Sequence, residues 1–202
     1  IWNMTAQDYM HCTPAIDPKR GIVVVGANDF YLYAYDKTSG KLLWKHKTGG
    51  EIKGCPTIDL ETGYCYAASF DGFLYCFNIE NGDMIWKRRL GYRLFNNPAI
   101  YKDAVFVGSM IKRVFALNKL NGEIKWFFTN NSPIVSSPIV HDEKVFIGSN
   151  KGNVYCLDVN NGSLIWKYQT GREITSTPAL KDDLLLVSSN DGNLYCFENC
   201  PD

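Results

Sequence analysis

The sequence predicts an all-β fold, a five-bladed β-propeller of four-stranded antiparallel blades, and three observations predict it. The five tryptophans, Trp2, Trp44, Trp86, Trp126 and Trp166, are spaced 42, 42, 40 and 40 residues apart. Each is followed twelve residues later by a proline: Pro14, Pro56, Pro98, Pro138 and Pro178. Within every period the apolar residues fall in short runs rich in Val, Ile, Tyr and Phe separated by Gly and Asx turns, which is strand chemistry. A unit of about 40 residues with four short strands cannot bury both sheet faces alone, so such units stack.

The elements follow in order. The first strand of each unit starts at the proline, as "PAI", "PTI", "PAI", "PIV" and "PAL". The second reads "GIVVVG", "GYCYAA", "DAVFVG", "EKVFIG" and "DLLLVS". The third and fourth flank tight turns at residues 36–40, 78–82, 118–122 and 158–162, each opened by Asp or Asn and closed by Gly. The opening side chain can bond nearby amides, and the closing Gly supplies positive φ. The two extra residues of the first two units lie between strands one and two, in "DPKRG" and "DLETG" against "YKD", "HDE" and "KDD".

The phase of the repeats predicts closure. The chain starts on a fourth strand, "IWN", and stops after a third, "NLYCFENCPD". Residues 1–4 are therefore expected to pair with residues 195–197, joining the termini in one sheet and removing two open edges. The expected organisation is one domain over residues 1–202, with a piece of a larger propeller as the alternative.

Charge excludes some partners. The chain carries 21 basic and 21 acidic residues, without the basic excess that nucleic acid or an anionic membrane surface calls for, so neither is expected as a partner. No apolar run approaches the roughly 20 residues of a membrane span, and "IWNMTAQDYM" lacks the basic start and apolar centre of a signal peptide.

Ala34-x-Asp36-x-x-x-Gly40-Lys41-x-x-Trp44 resembles the tryptophan-docking motif of the PQQ-like (quinoprotein-type) propeller family. Cys76 to Trp86, Ala116 to Trp126 and Cys156 to Trp166 match its ends and its Gly, and Cys196 opens a fifth copy. The resemblance implies that each Trp packs across a blade junction against the small residue at the motif start. Cys76, Cys156 and Cys196 then stand where other units use Ala34 and Ala116, as small hydrophobes. Cys65 falls at a strand position that other units fill with Val23, Val105, Val145 and Leu185, and Cys200 lies in the unfinished last turn. Seven cysteines cannot all pair, so no disulfide framework is indicated.

Other chemistry is thin. Cys12, Cys55 and His11 lie on the approach to the first strand without CxxC or HxxxH spacing, so no metal site is expected. The resembled dehydrogenases carry eight blades, a Ca²⁺ site, a catalytic Asp and adjacent cysteines, whereas this chain has five units and no Cys-Cys pair, and neither a cofactor nor dehydrogenase activity is expected. Glycosidase chemistry needs converging carboxylates. Only Glu51 and Glu173 are repeat-equivalent, and they read as loop acids balancing Lys53 and Arg172.

The reading is therefore a non-catalytic propeller that presents one face to a protein or ligand, with a lectin-like small-ligand binder as the alternative. Differences among repeats locate that face. The loops between strands two and three keep plain polar turns in the last two units, whereas the second and third carry Phe70, Phe73, Met110, Ile111, Lys112 and Arg113. The loop after Trp86 adds Tyr92, Arg93, Phe95 and Asn96. Aromatic, Met and Arg side chains together suit an interface centre, so these residues are the expected partner-binding patch.

Overall fold

The computed structural model describes residues 1–181 and 183–198. They form nineteen strands in five antiparallel sheets, with no helix among the described residues. The chain divides into two compact units, Ile1–Pro98 with Leu120–Glu123, and Ala99–Lys119 with the residues from Ile124 onward.

The first unit holds two sheets. One contains β1 (Ala15–Asp17), β2 (Ile22–Gly26), β3 (Tyr31–Asp36) and β4 (Leu42–Lys47); the other contains β5 (Thr57–Asp59), β6 (Tyr64–Ala68), β7 (Phe73–Asn78) and β8 (Met84–Arg89), each paired in chain order. The strands β2, β3, β6 and β7 are buried on both faces, whereas β4 and β8 keep an exposed face and β1 exposes Ile16. That explains the near-continuous apolar runs "IVVV" and "YLYAY". Ile22, Val24, Leu32 and Ala34 of one sheet pack with Cys65, Ala67, Tyr75 and Phe77 of the other around the fully buried Ile52.

The second unit repeats this with β9 (Ala99–Tyr101), β10 (Ala104–Ser109), β11 (Arg113–Asn118) and β12 (Ile124–Thr129), then β13 (Ile139–His141), β14 (Lys144–Gly148), β15 (Asn153–Asp158) and β16 (Leu164–Gln169). A last sheet has three strands, β17 (Ala179–Lys181), β18 (Leu184–Ser188) and β19 (Leu194–Glu198).

Among the described residues the ladders do not contain the expected pairing of residues 1–4 with 195–197: residues 1–4 form no strand, and β19 is paired with β18. Trp2 is held instead by side-chain contacts. Its indole N–H donates to the Lys37 carbonyl at 3.0 Å, and its ring lies against Gly40 and Tyr35. Docking the ring needs no strand ladder. Cys196 is exposed on β19, unlike the fully buried Cys76 and Cys156.

The tryptophans take two kinds of small partner. In the ladders Trp44 faces Ala34, Trp86 faces Cys76, Trp126 faces Ala116 and Trp166 faces Cys156, with a register shift directly after each small residue. The ring itself covers the turn glycine of the next repeat. A Cβ on Gly82 would stand 2.7 Å from the Trp44 ring, one on Gly122 2.6 Å from Trp86, and one on Gly162 2.4 Å from Trp126. Indole N–H groups of Trp44 and Trp126 donate to the Ile79 and Val159 carbonyls at 2.7 and 2.9 Å. The turn glycines thus serve twice, through positive φ and through the space they leave. Among the described residues Trp166 has no partner for its N–H; the position equivalent to Ile79 and Val159 is residue 199, outside them. Cys200 lies outside them as well.

Candidate functional site

The loops that follow β4 and β8 are pinned from below. Ile52 and Leu94, each eight residues after its tryptophan, are fully buried. Their amides donate to the carbonyls of Ala27 and Ser69 at the β2–β3 and β6–β7 turns, both at 3.1 Å. Burying every such Ile or Leu turns its neighbours outward, which places Glu51, Lys53, Arg93 and Phe95 beside the turns. Phe70 is held there by its own amide, which donates to the Glu51 carbonyl at 2.9 Å.

The result is an open cleft of about 410 Å³ in the first unit, lined by Phe30, Gly50, Glu51, Lys53, Phe70 and Arg93. Phe70 is its floor. Phe95 meets it edge-on with ring centroids 4.4 Å apart, and the Lys53 ammonium and Arg93 guanidinium stand 4.8 and 5.8 Å from its centre. Cations over an aromatic face are attracted to its π cloud, so both charges are oriented while staying accessible. Glu51 pairs with Lys53 at 2.8 Å, whereas Arg93 has no carboxylate partner among the described residues. Gly50 is required here, since a Cβ would come within 2.6 Å of the Asp71 amide.

Of the residues expected at a partner surface, Phe70, Tyr92, Arg93 and Phe95 gather at or beside this cleft, and Tyr92 is 56% exposed. Phe73 lies under Lys87 and Arg89. Asn96 is fully buried; it occupies the loop position that Cys12, Gly54 and Ser136 fill elsewhere, and its side chain is withdrawn from the surface. Met110, Ile111, Lys112 and Arg113 belong to the second unit. Arg113 is engaged locally over the Phe127 ring at 4.4 Å.

Ile111 has a structural cause. In three repeats an Asp in this turn accepts a hydrogen bond from the Tyr four residues on: Asp29 from Tyr33 and Asp71 from Tyr75, both at 2.6 Å, and Asp191 from Tyr195 at 2.8 Å. Burial, followed by the Asp itself, pushes the Tyr33 and Tyr75 hydroxyls upward in pKa. The third repeat replaces both partners together, with Ile111 and Phe115, leaving no polar group stranded.

Phe30 is the residue that the sequence reading missed. Its φ is 76°, and the equivalent residues Gly72, Lys112, Gly152 and Gly192 have φ of 85°, 66°, 78° and 88°. This turn position is left-handed in these repeats, yet here a bulky aromatic takes it. The recurrence of Gly at three of the five equivalent positions, against Phe30 and Lys112 at the other two, is the signal that could have found it.

Glu51 and Glu173 are each engaged with a cation of their own loop, Lys53 at 2.8 Å and Arg172 at 3.7 Å. Among the described residues no group of three or more His, Cys, Asp or Glu is placed to hold a metal ion. The Cys12 thiol accepts the Gly26 N–H and donates to the Gly26 carbonyl, both at 3.2 Å, as Ser136 does with Gly148 at 2.8 and 2.9 Å. Burial raises its pKa, which keeps it protonated as a donor. Cys55 accepts the Thr13 N–H at 3.1 Å, and its own N–H goes to Asn97 Oδ1 at 2.7 Å. Cys12→Ser is therefore expected to stay within about 1 kcal/mol of wild type, and Cys12→Ala to lose about 1–3 kcal/mol by stranding the Gly26 groups. A urea titration of both variants checks the ordering.

The geometry of stacked four-stranded sheets agrees with comparisons to known proteins. Residues 1–201 match the family described as "Beta-alanine-activating enzyme, beta-propeller". The chain belongs to this β-propeller family. Among solved structures, the propeller is similar to BamB from Moraxella catarrhalis, with a TM-score of 0.84 and 20% identity over 94% of this chain and 61% of that one. It thus spans about three fifths of the length of the BamB chain. It is also similar to the computationally designed Ika4 protein, with a TM-score of 0.68 and 15% identity over 76% of this chain and 94% of that one. Curated proteins give no match. At these identities the two structures speak for the fold alone.

Proposed function

We propose that this propeller is a non-catalytic binding module whose working surface is the cleft of Phe30, Lys53, Phe70 and Arg93, and that its partner is a protein. The observation that carries this reading is the cleft itself: aromatic rings and the Arg93 guanidinium, which has no carboxylate partner among the described residues, gathered by loops whose other residues are fixed by the scaffold. The cleft is open, whereas small-molecule sites enclose most of their ligand; openness favours a protein surface. The carboxylates Glu51 and Glu173, each engaged by a cation in its own loop, give no support to glycoside hydrolysis.

The family description ties such propellers to a beta-alanine-activating enzyme, and the role proposed here is recognition rather than activation chemistry. Assignment to the PQQ-like branch is supported by the repeated contact of Trp with the next turn glycine.

The test is affinity capture on immobilised protein followed by mass spectrometry. Wild type is expected to retain a reproducible partner that Arg93→Glu and Phe70→Ala release, with both variants folded by circular dichroism. A partner set unchanged by both substitutions would overturn the reading.

A further inference from the structure

We infer that the cleft takes an acidic peptide segment of the partner, seating an apolar side chain between Phe30 and Phe70 and its carboxylates against Lys53 and Arg93. This rests on the reading above and names the chemistry of the partner.

Charge is the first observation. The chain is neutral overall, but this end of the first unit concentrates cations on aromatic supports. Beside Lys53 and Arg93 on Phe70, Lys45 and Lys47 lie over Tyr31 at 4.9 and 5.8 Å, and Lys87 and Arg89 over Phe73 at 5.2 and 5.9 Å. Tyr31 and Phe73 open β3 and β7, directly after the turns that carry Phe30 and Phe70. The nearby acids are committed. Asp29 accepts bonds from Tyr33, Tyr31 and Gln7, Asp71 from Tyr75, Phe73 and Gly49, and Glu51 pairs with Lys53. Glu51 and Lys53 offset each other, and Asp29 and Asp71 face into the turns, so Arg93 with Lys45, Lys47, Lys87 and Arg89 leaves this end net positive. A surface of this kind attracts a segment of opposite charge and repels a basic one.

Backbone strain at Phe30 is the second, independent observation. A left-handed φ suits Gly and opposes a bulky side chain; of the equivalent positions three are Gly and one is the unbranched Lys112, so Phe30 is the one aromatic held there. Phe30 is 39% exposed at the cleft rim, so its ring contributes little to the core that would offset the strain. Strained residues held at clefts point to function. An exposed ring lining the same opening as Phe70 supplies an apolar seat.

The strain also separates folding from binding. Phe30→Gly restores the residue that other repeats use, so it is expected to fold with a denaturation midpoint at or above wild type while binding worse. The probe is a dye-labelled peptide of glutamates flanking a Leu-Leu pair, followed by fluorescence anisotropy at low salt. Wild type is expected to bind it saturably, and Arg93→Glu and Phe30→Gly each to weaken it at least about tenfold, the loss typical of a central anchor. The lysine counterpart of the peptide is expected not to bind, and added salt to weaken the complex. Absence of saturable binding, equal affinity in both variants, equal affinity for the lysine peptide, or tighter binding of single-stranded oligothymidylate would each overturn the inference. If Arg93→Glu releases the captured partner but the acidic peptide does not bind, the charge assignment falls and the binding surface stands. If capture is also unchanged, both fall.

Discussion

Replacement of Trp126 by Ala is expected to cost about 3–5 kcal/mol of folding stability, the range for deleting a large buried aromatic. Trp126 is 8% exposed and packs in a cluster with Phe106, Ile134, Val145, Ile147, Tyr155 and Leu157, drawn from two successive sheets of the second unit. Truncation removes the ring from both sheets at once. It also strands the Val159 carbonyl, which now accepts the indole N–H at 2.9 Å. The sheets are too regular for the loop carrying Gly162 to collapse into the space, so little of the cavity term is recovered. Urea denaturation of the variant measures the loss, and a value below about 1 kcal/mol would show that the ring is not structural. Trp2→Ala is expected to cost less, because Trp2 is only partly buried and no ladder depends on it.

The repeat unit was legible because its determinants are local. A turn glycine, the small residue before the hairpin and the tryptophan after it lie within eleven positions, and their recurrence marks the strands between them. What each does was less legible. Ala34 and Cys76 face their tryptophans across the ladder, but the ring rests on a glycine one repeat further on, a contact between residues 38 apart for Trp44 and Gly82. Sequence adjacency points to the wrong small partner.

The cleft was half legible for a related reason. Phe70, Arg93 and Phe95 stood out as departures from the repeat, and they do meet. Asn96 stood out equally but is buried, because its position serves the loop's approach to the next strand; the small residues Cys12, Gly54 and Ser136 at that position carried the hint. Ile111 departed from the pattern for the sake of Phe115, a coupling visible only once the Asp and Tyr of other repeats are seen to bond. Phe30 looked like one more aromatic in an aromatic run, since φ cannot be read from a residue name. Pairing of the terminal strands was inferred from phase alone. With three residues in "IWN" there is little ladder to gain, and the Trp2 contact with Gly40 forms without it.

Gly162→Ala is the second large effect, and it carries a test that Trp126→Ala alone does not. The φ of Gly162 is 72°, and placing Ala there costs about 1–2 kcal/mol in a left-handed conformation. The new methyl would also stand 2.4 Å from the Trp126 ring, a clash that moves the ring or the hairpin and adds about 1–3 kcal/mol. The backbone part is independent of Trp126, and the clash is not. In a Trp126→Ala background the methyl enters space that the ring has left, so Gly162→Ala is expected to cost only the backbone part. The double mutant should therefore be more stable than the sum of the single losses predicts, by about 1–3 kcal/mol, as for residues in direct contact. Lys41 follows Gly40 as Ser163 follows Gly162, and the same cycle on Gly40 and Trp2 should show coupling too, since a Cβ there would meet the Trp2 ring at 2.5 Å. Additive losses in the Trp126 cycle, measured by urea titration of the four proteins, would mean that glycine is needed at the turn for its backbone alone and that the ring does not select it.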